Sequence, residues 1–257
     1  MLYKRKAEKD LGPLCSLISH LRVTFRTYGY CKMYRQLLRE RVVCSRLDVR
    51  KAYEMLGILT KRSPRRARTT DSRHEHPRYP NIVRSLIIER PDQVWVADTT
   101  EFGVGSRSTY LALVEDVFTR RVVGWALSFA NNTLLTTAAL DMALAGGTPE
   151  IHHSDQGRPY AADKHTAKLL SLGVTISMAA AGKAWENGYA ERLNGSFKSE
   201  EIWLSDYQTL AQAHEEIGAY VKLYNQMRIH ESLRFKTPEE VMDAYSHDQK
   251  PGEQSPL

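Results

Sequence analysis

The chain has 257 residues, 42% of them hydrophobic, which is enough to build a buried core for one large domain or two small ones. The sequence has no run of about eighteen apolar residues, which a membrane span would need, and its first residues lack the apolar stretch of a secretory signal. We therefore expect a cytoplasmic protein. The net charge of +6 conceals a split, because residues 1–90 hold 22 Lys/Arg and 8 Asp/Glu and the remainder has a balance of −8. A basic segment of this kind is typical of phosphate-backbone binding, whereas the acidic remainder would repel a backbone unless metal intervened.

Three amphipathic helices are predicted in the first sixty residues. The third has Ser45 as N-cap, an apolar stripe from Val49 to Leu56, and Gly57 in the C′ position. Its basic side chains, Arg46, Arg50 and Lys51, lie outside that stripe. They are predicted to face a DNA major groove, as in a helix-turn-helix recognition helix. A solvated basic face is the open alternative.

Residues 60–80 contain three prolines and many cations and almost no apolar periodicity, which predicts a linker. Basic linkers commonly follow phosphates, so Arg62, Arg65 and Arg66 are predicted DNA contacts, although a merely soluble tether would have a similar composition.

From about residue 91 the pattern changes to strands. Residues 94–100, 109–117 and 121–127 predict an antiparallel three-strand meander. Beyond it the pattern predicts alternating helices and strands: a helix over 133–145, a strand over 150–153, a helix over 163–171, a strand over 174–178, and a helix from about Asn187 towards Trp203. This order predicts a mixed sheet flanked by helices.

Two further helices are predicted towards the C-terminus. An apolar stripe from Leu210 to Tyr224 indicates the first. The second is predicted to begin at Thr237-Pro238-Glu239-Glu240, which has the form of a capping box with proline at the first helical position.

Three carboxylates lie where structure alone would not ordinarily place them. Asp98 interrupts an apolar strand, Asp155 follows a strand and precedes a glycine, and Glu191 lies on the helix after a small-residue stretch. Clustered carboxylates are costly unless a cation offsets their repulsion, and Mg²⁺ prefers such oxygen ligands. Two such ions would support phosphoryl transfer, so the sequence predicts a metal-dependent site of this type.

The spacing of these carboxylates, with 56 residues between the first pair and 35 between the second, resembles the acidic triad of the DDE transposase and retroviral integrase superfamily. Several segments of this chain are similar to the second-frame product of the insertion-sequence-three family of bacterial transposases. They are Trp95–Thr100, Tyr110–Asp116, Val123-Gly124-Trp125, His153–Gly157, Glu186–Glu191 with Phe197–Glu200, and Tyr224-Asn225 followed by Arg228, His230 and Thr237-Pro238. Residues 28–58 resemble the small helical DNA-binding module that precedes the core in that family.

The resemblance implies an α/β fold: a ribonuclease-H-like mixed five-stranded sheet flanked by helices, preceded by a small all-α helix-turn-helix-like module. The expected divisions are a helical DNA-binding module (1–62), a basic linker (63–90), the DDE catalytic core (91–205), C-terminal helices (206–245) and a flexible tail (246–257). Asp98, Asp155 and Glu191 would be both catalytic residues and ligands of two Mg²⁺ ions, for which Mn²⁺ would substitute. Additional expected DNA contacts are Lys183, Asn187, Lys198, Arg228 and His230. A surface charge without a role is the open alternative for Lys198, and support of the metal ligands or a purely structural role is the open alternative for Arg228 and His230.

The implied activity is Mg²⁺-dependent cleavage at terminal inverted repeats and transfer of a 3′-hydroxyl to target DNA. The partners would be transposon-end and target DNA, further copies of the chain as a dimer or larger multimer, and the first-frame product of the same element, with the protein at the nucleoid. The loop before Glu191 departs from the family pattern, since Ala179-Ala180-Ala181-Gly182-Lys183 lacks its polar groups. Two alternatives stay open: a non-catalytic DNA-binding regulator that lacks the first-frame half, and a ribonuclease-H-type nuclease.

Overall fold

The computed structural model describes residues 9–58, 76–180 and 183–248. The chain divides into two compact units, residues 1–65 and 66–257. Three of the predicted DNA contacts, Arg62, Arg65 and Arg66, lie outside the described residues. No helix in the described ranges is both long enough and apolar enough to cross a membrane.

The first unit is helical, as predicted. Its helices are α1 (Gly12–Thr24), α2 (Tyr30–Arg39) and α3 (Arg46–Met55). They bury a small core made of Ile18, Met33, Leu37, Val49 and Ala52.

Both predicted ends of α3 are confirmed. The Ser45 hydroxyl accepts the Asp48 N–H at 3.1 Å, while the Asp48 carboxylate accepts the Ser45 N–H at 3.0 Å, which completes a capping box. Gly57 takes a φ of +64°, and the Ile58 N–H reaches back to the Tyr53 carbonyl, so a Schellman turn closes the helix.

The second unit is built on a five-stranded mixed sheet in the order β3-β2-β1-β4-β5. Its strands are β1 (Val94–Val104), β2 (Arg107–Asp116), β3 (Val122–Ser128), β4 (Ile151–Ser154) and β5 (Thr175–Met178). The first three pair antiparallel as the predicted meander, and β4 pairs parallel with both β1 and β5.

Helices cover both faces of this sheet. They are α4 (Thr133–Leu144), α5 (Arg158–Ala161), α6 (Asp163–Ser171), α7 (Gly188–Glu200), α8 (Leu210–Gln226) and α9 (Pro238–Asp248), with 3₁₀ turns at Ala184–Asn187, Ile202–Leu204 and Glu231–Leu233. One face packs Trp95, Ala97 and Val114 against α4, and the other packs Leu111 and Leu113 against α7 and α8.

The close approach of β3 to α4 depends on Gly124. A Cβ at this position would overlap the Ala139 carbonyl and the Ala143 backbone, so only glycine allows the helix to lie this close to the sheet. This contact gives a physical reason for the glycine in the Val-Gly-Trp segment.

The predicted linker is only partly described, and its described part packs against the sheet. The Pro80 carbonyl accepts the Met178 N–H at the edge of β5, and the Ile82 N–H donates to the Ser177 hydroxyl at 3.1 Å. Val83 and Ile88 pack against the buried residues of β1. Residues 80–88 therefore form part of the second unit and do not behave as a tether.

Candidate active site

Asp98 and Asp155 lie beside each other because of the parallel pairing of β1 and β4. Val96 is opposite His153 in this parallel pairing. Asp98 and Asp155 each lie two residues further along the chain, so they are at the same level. Parallel strands carry their carboxyl ends to the same edge of a sheet. Since β4 ends at Ser154 while β1 continues, the sheet opens next to Asp98 and a cleft forms there.

Asp155 is oriented by the turn that follows it. Its Oδ1 accepts the Gly157 N–H at 2.8 Å. A Cβ at Gly157 would lie 2.8 Å from the same oxygen, closer than real Cβ contacts, so glycine is needed for this carboxylate orientation. The aspartate-x-glycine pattern thus serves the placement of the acid.

Asp98 is held by one hydrogen bond from its own strand and one from α7. Its Oδ1 accepts the Thr99 N–H at 2.8 Å, and its Oδ2 accepts the Asn194 amide at 2.8 Å. Burial, and then the charge of Asp155, raise the pKa of Asp98 to about 7, although both hydrogen bonds act in the opposite direction. The two carboxylates therefore resist ionising together.

Glu191 lies in the first turn of α7 and is exposed. Its charge also contributes to the raised pKa of Asp98, so the three acids act on a common region. The helix is fixed to β1 by two buried amides: Asn194 binds Asp98, and the Asn187 side chain donates to the Ala97 carbonyl at 3.2 Å. Asn187, a predicted DNA contact, is only 3% exposed, so the structure gives its side chain a protein partner and does not place it on an open surface.

A cleft of about 290 Å³ opens beside the two aspartates. Its remaining lining is mostly polar and aromatic, and consists of Thr99, Glu101, Tyr110, Asn131, Gly157, Arg158, Pro159 and Tyr160. The Thr99 hydroxyl and the Tyr160 phenol lie 3.0 Å apart and stiffen one wall. This open, polar lining differs from the enclosed apolar pocket that is typical of a drug-sized ligand.

The loop before α7 is organised by Glu186. Its carboxylate accepts the Ala180 N–H at 2.9 Å and the Asn81 amide at 3.1 Å, and these two hydrogen bonds lower its pKa. The imidazole of His153 lies 2.8 Å from the Ser177 hydroxyl and 3.2 Å from the Glu186 carbonyl. His153 is therefore placed to support the loop from β4 and β5.

The other predicted DNA contacts fall into two groups. Arg46, Arg50 and Lys51 are exposed on α3, Lys183 is exposed and lies 3.6 Å from the Glu186 carboxylate, and Lys198 is half-buried on α7. Arg228 and His230, in contrast, are both 7% exposed. The structure gives these two residues protein partners and does not place them on an open surface.

The donor set at the carboxylates fits a hard divalent cation. Asp98 and Asp155 offer oxygen ligands from adjacent strands, and their mutual repulsion would be relieved by positive charge between them. Within residues 9–58, 76–180 and 183–248, no group of three or more His, Cys, Asp or Glu side chains forms a complete metal-holding set. Mg²⁺ is commonly held by one or two carboxylates, with water and phosphate oxygens completing its shell.

Comparison with known proteins agrees with this geometry. Two models of the integrase core domain match residues 88–184 and 172–238. The transposase for insertion sequence element IS629 of Shigella sonnei is 32% identical over 86% of this chain and 75% of its own length. The chain belongs to the DDE transposases of insertion sequences.

One further curated protein and one solved structure are also similar to the transposase. The transposase for insertion sequence element IS904 of Lactococcus lactis is 27% identical over 83% of this chain and 86% of its own length. A cryo-EM structure of the simian T-cell lymphotropic virus intasome, in complex with PP2A regulatory subunit B56 gamma, has a TM-score of 0.54 at 17% identity. It covers 93% of this chain and 77% of that one. The likeness to the intasome chain shows that the two proteins share the ribonuclease-H-like fold.

Some site residues of the transposase were not singled out from the sequence. Asn194, which holds Asp98, lies three residues after Glu191, and this spacing on a helix is a signal that could have identified it. Arg158 and Tyr160 follow Asp155 closely and could have been found as residues of the same turn. Asn81 carries no local signal, because its contact with Glu186 spans 105 positions in the chain.

Proposed function

We propose that this transposase carries out Mg²⁺-dependent cleavage at terminal inverted repeats and joins the resulting 3′-hydroxyl to target DNA. The observation that supports it most is the placement of Asp98 and Asp155 on neighbouring parallel strands at the head of an open polar cleft. Glu191 would complete a DD(35)E triad, and the contribution of its charge to the raised pKa of Asp98 supports this. This triad would be both the catalytic and the metal-binding set.

Two Mg²⁺ ions, for which Mn²⁺ would substitute, would be held by Asp98, Asp155 and Glu191. When bound, such ions polarise the scissile phosphate and stabilise the charge on the entering and leaving oxygens. The chain's own part is positional. Thr99 and Asn194 fix the Asp98 carboxylate, and Gly157 fixes that of Asp155, so the acids need not reorganise during phosphoryl transfer.

DNA would be held at two places. The exposed Arg46, Arg50 and Lys51 of α3 would contact a transposon end, together with Arg62, Arg65 and Arg66. Lys183 and Lys198 would contact phosphates near the triad, with Arg158 lining the path of the DNA strand. Paired ends require at least two copies of the chain, and the first-frame product is a further proposed partner.

A joining assay tests the proposal. Purified protein is incubated with Mg²⁺, a labelled inverted-repeat end and a target plasmid, alone and with added first-frame product. The expected result is labelled plasmid formed by the unaltered chain and lost in Asp98→Asn, Asp155→Asn and Glu191→Gln. The loss should be on the order of 10³-fold or more, since these acids act together.

Two other outcomes would redirect the assignment. Hydrolysis of RNA in an RNA–DNA hybrid without any joined product would favour a nuclease. End binding that inhibits an active transposase equally well in Asp98→Asn would favour a regulator, because a regulator does not need the carboxylate.

A further inference from the structure

Tyr224, Arg228 and His230, in the segment that follows the predicted catalytic core, are buried between helices. Arg228 donates through Nε to Glu200 Oε2 at 2.8 Å and through Nη2 to Glu200 Oε1 at 2.6 Å. Its Nη1 lies 3.2 Å from His230 Nε2, and its guanidinium lies 5.1 Å from the centre of the Tyr224 ring. A two-point arginine–carboxylate contact fixes orientation as well as distance.

This contact acts on the helix that carries Glu191. Glu200 is the last residue of α7, and Ser196, one turn earlier, also receives a hydrogen bond from Arg228 Nη2 at 3.3 Å. The other end of the same helix presents Glu191, and its middle presents Asn194 to Asp98. Arg228 therefore holds the C-terminal turn of α7 while Asn194 holds its middle.

The pair is surrounded by groups that keep it charged and in place. Burial lowers the pKa of Arg228, but the hydrogen-bonded charge of Glu200 more than reverses this, so the net pKa is raised. The Tyr220 hydroxyl donates to Glu200 Oε2 at 3.0 Å. Loss of either partner would leave a buried charge uncompensated.

A separate pair of hydrogen bonds attaches α8 to the sheet. The Asn225 side chain accepts the Val122 N–H at 2.9 Å and donates to the Val122 carbonyl at 3.0 Å, which pins α8 to β3. The Arg228–Glu200 contact is thus not required to dock α8, and its distinct effect is on the direction of α7.

We propose that Arg228 and Glu200 are positioning residues, which set the direction of α7 and so place Glu191 and Asn194 relative to Asp98. The inference deepens the proposed function and rests on it for the role of Glu191. The same contact also gives the Arg-x-His segment a role within the protein, in place of a contact with DNA.

Hydrogen exchange and Mg²⁺ titration of the joining reaction test this. The variants are Arg228→Lys, Arg228→Met and the double variant Arg228→Met/Glu200→Met, which leaves no unpaired charge and so preserves the fold if the single variants fail. The control is Asn225→Ala, which weakens the attachment of α8 to β3 and leaves the contact with α7 intact. All measurements are made well below each variant's melting temperature, on the full chain.

We expect faster amide exchange across residues 188–200 in Arg228→Met and in the double variant, relative to the strands of the sheet. The Mg²⁺ concentration for half-maximal joining should rise by about 10-fold, as is typical when a group supporting a metal ligand is removed, with a smaller rise in Arg228→Lys. Asn225→Ala should lower the melting temperature without either change.

Unchanged exchange in α7 of the double variant, or an equal rise in Mg²⁺ requirement in Asn225→Ala, would overturn the positioning role. The exchange measurement does not depend on activity. If α7 loosens as expected while the unaltered chain joins no DNA, the proposed function fails and the structural coupling stands.

Discussion

Replacing Asp98 with asparagine should stabilise the catalytic unit in neutral and alkaline solution without metal. Burial and the Asp155 charge raise the pKa of Asp98 to about 7, so the folded chain holds a proton where the unfolded chain has lost it. The stability therefore falls as the pH rises from about 4 to about 7, and the full penalty is present above that range. An asparagine keeps a neutral acceptor for Thr99 and carries no such penalty.

The hydrogen bond to α7 can survive this change. Asn194 Oδ1 is buried and has no hydrogen-bond partner among the residues that the structure describes, so rotation of this amide lets it accept from the new asparagine. The difference between about 7 and the ordinary 3.8, at about 1.4 kcal/mol per pKa unit, corresponds to about 4 kcal/mol. Because Asp98 and Asp155 titrate as a coupled pair, only part of this belongs to Asp98, and we expect a gain of about 2 kcal/mol.

Urea unfolding in EDTA at about pH 8 and about pH 5 measures the effect. The gain in free energy of unfolding should be present at the higher pH and much smaller at the lower one. Asp206→Asn, which removes an exposed carboxylate, serves as the control. Millimolar Mg²⁺ should stabilise the unaltered chain more than Asp98→Asn. A destabilised Asp98→Asn at about pH 8 would refute the reasoning.

Four further predictions follow from other contacts. Gly195 is exposed within α7 and a Cβ there meets nothing, so Gly195→Ala should raise the free energy of unfolding by up to about 1 kcal/mol in urea. Gly124→Ala should lower it by about 1–3 kcal/mol through overlap with Ala139, whereas Gly103→Ala, where space is free, should not. Asn81→Ala removes one of the hydrogen bonds to Glu186, so it should slow joining at unchanged end-DNA affinity; reduced affinity alone would contradict this. Alanine at Arg46, Arg50 and Lys51 together should reduce the salt slope of end-DNA binding by up to about 3, and an unchanged slope would place the DNA elsewhere.

Local patterns predicted most of the elements to within a few residues. The helix over 163–171 has the predicted bounds, and both hydrogen bonds of the predicted capping box between Thr237 and Glu240 are formed. These features depend on residues three or four positions apart, so a single sequence carries their signal. The short helix α5 was not predicted, because four residues are too few to show a period.

The carboxylates were identified from type and spacing, but their supports were not. Asn194 lies one helical turn after Glu191, but its contact with Asp98 spans 96 positions, and Arg228 binds Glu200 from the segment after α8, so the sequence does not show either contact. Arg228 and His230 are predicted to contact DNA from the resemblance, in the Tyr224–Pro238 segment. Their burial became visible only once α7 and α8 were packed together.

The three carboxylates are proposed to drive joining of a 3′-hydroxyl end. This role is measured by the single-turnover rate at which a pre-cleaved, labelled end joins plasmid DNA in Mg²⁺, compared between the unaltered chain and Glu191→Gln. The two proteins should bind the end equally well, and joining should fall by on the order of 10³-fold or more in Glu191→Gln. Equal joining rates for the two proteins would contradict the account.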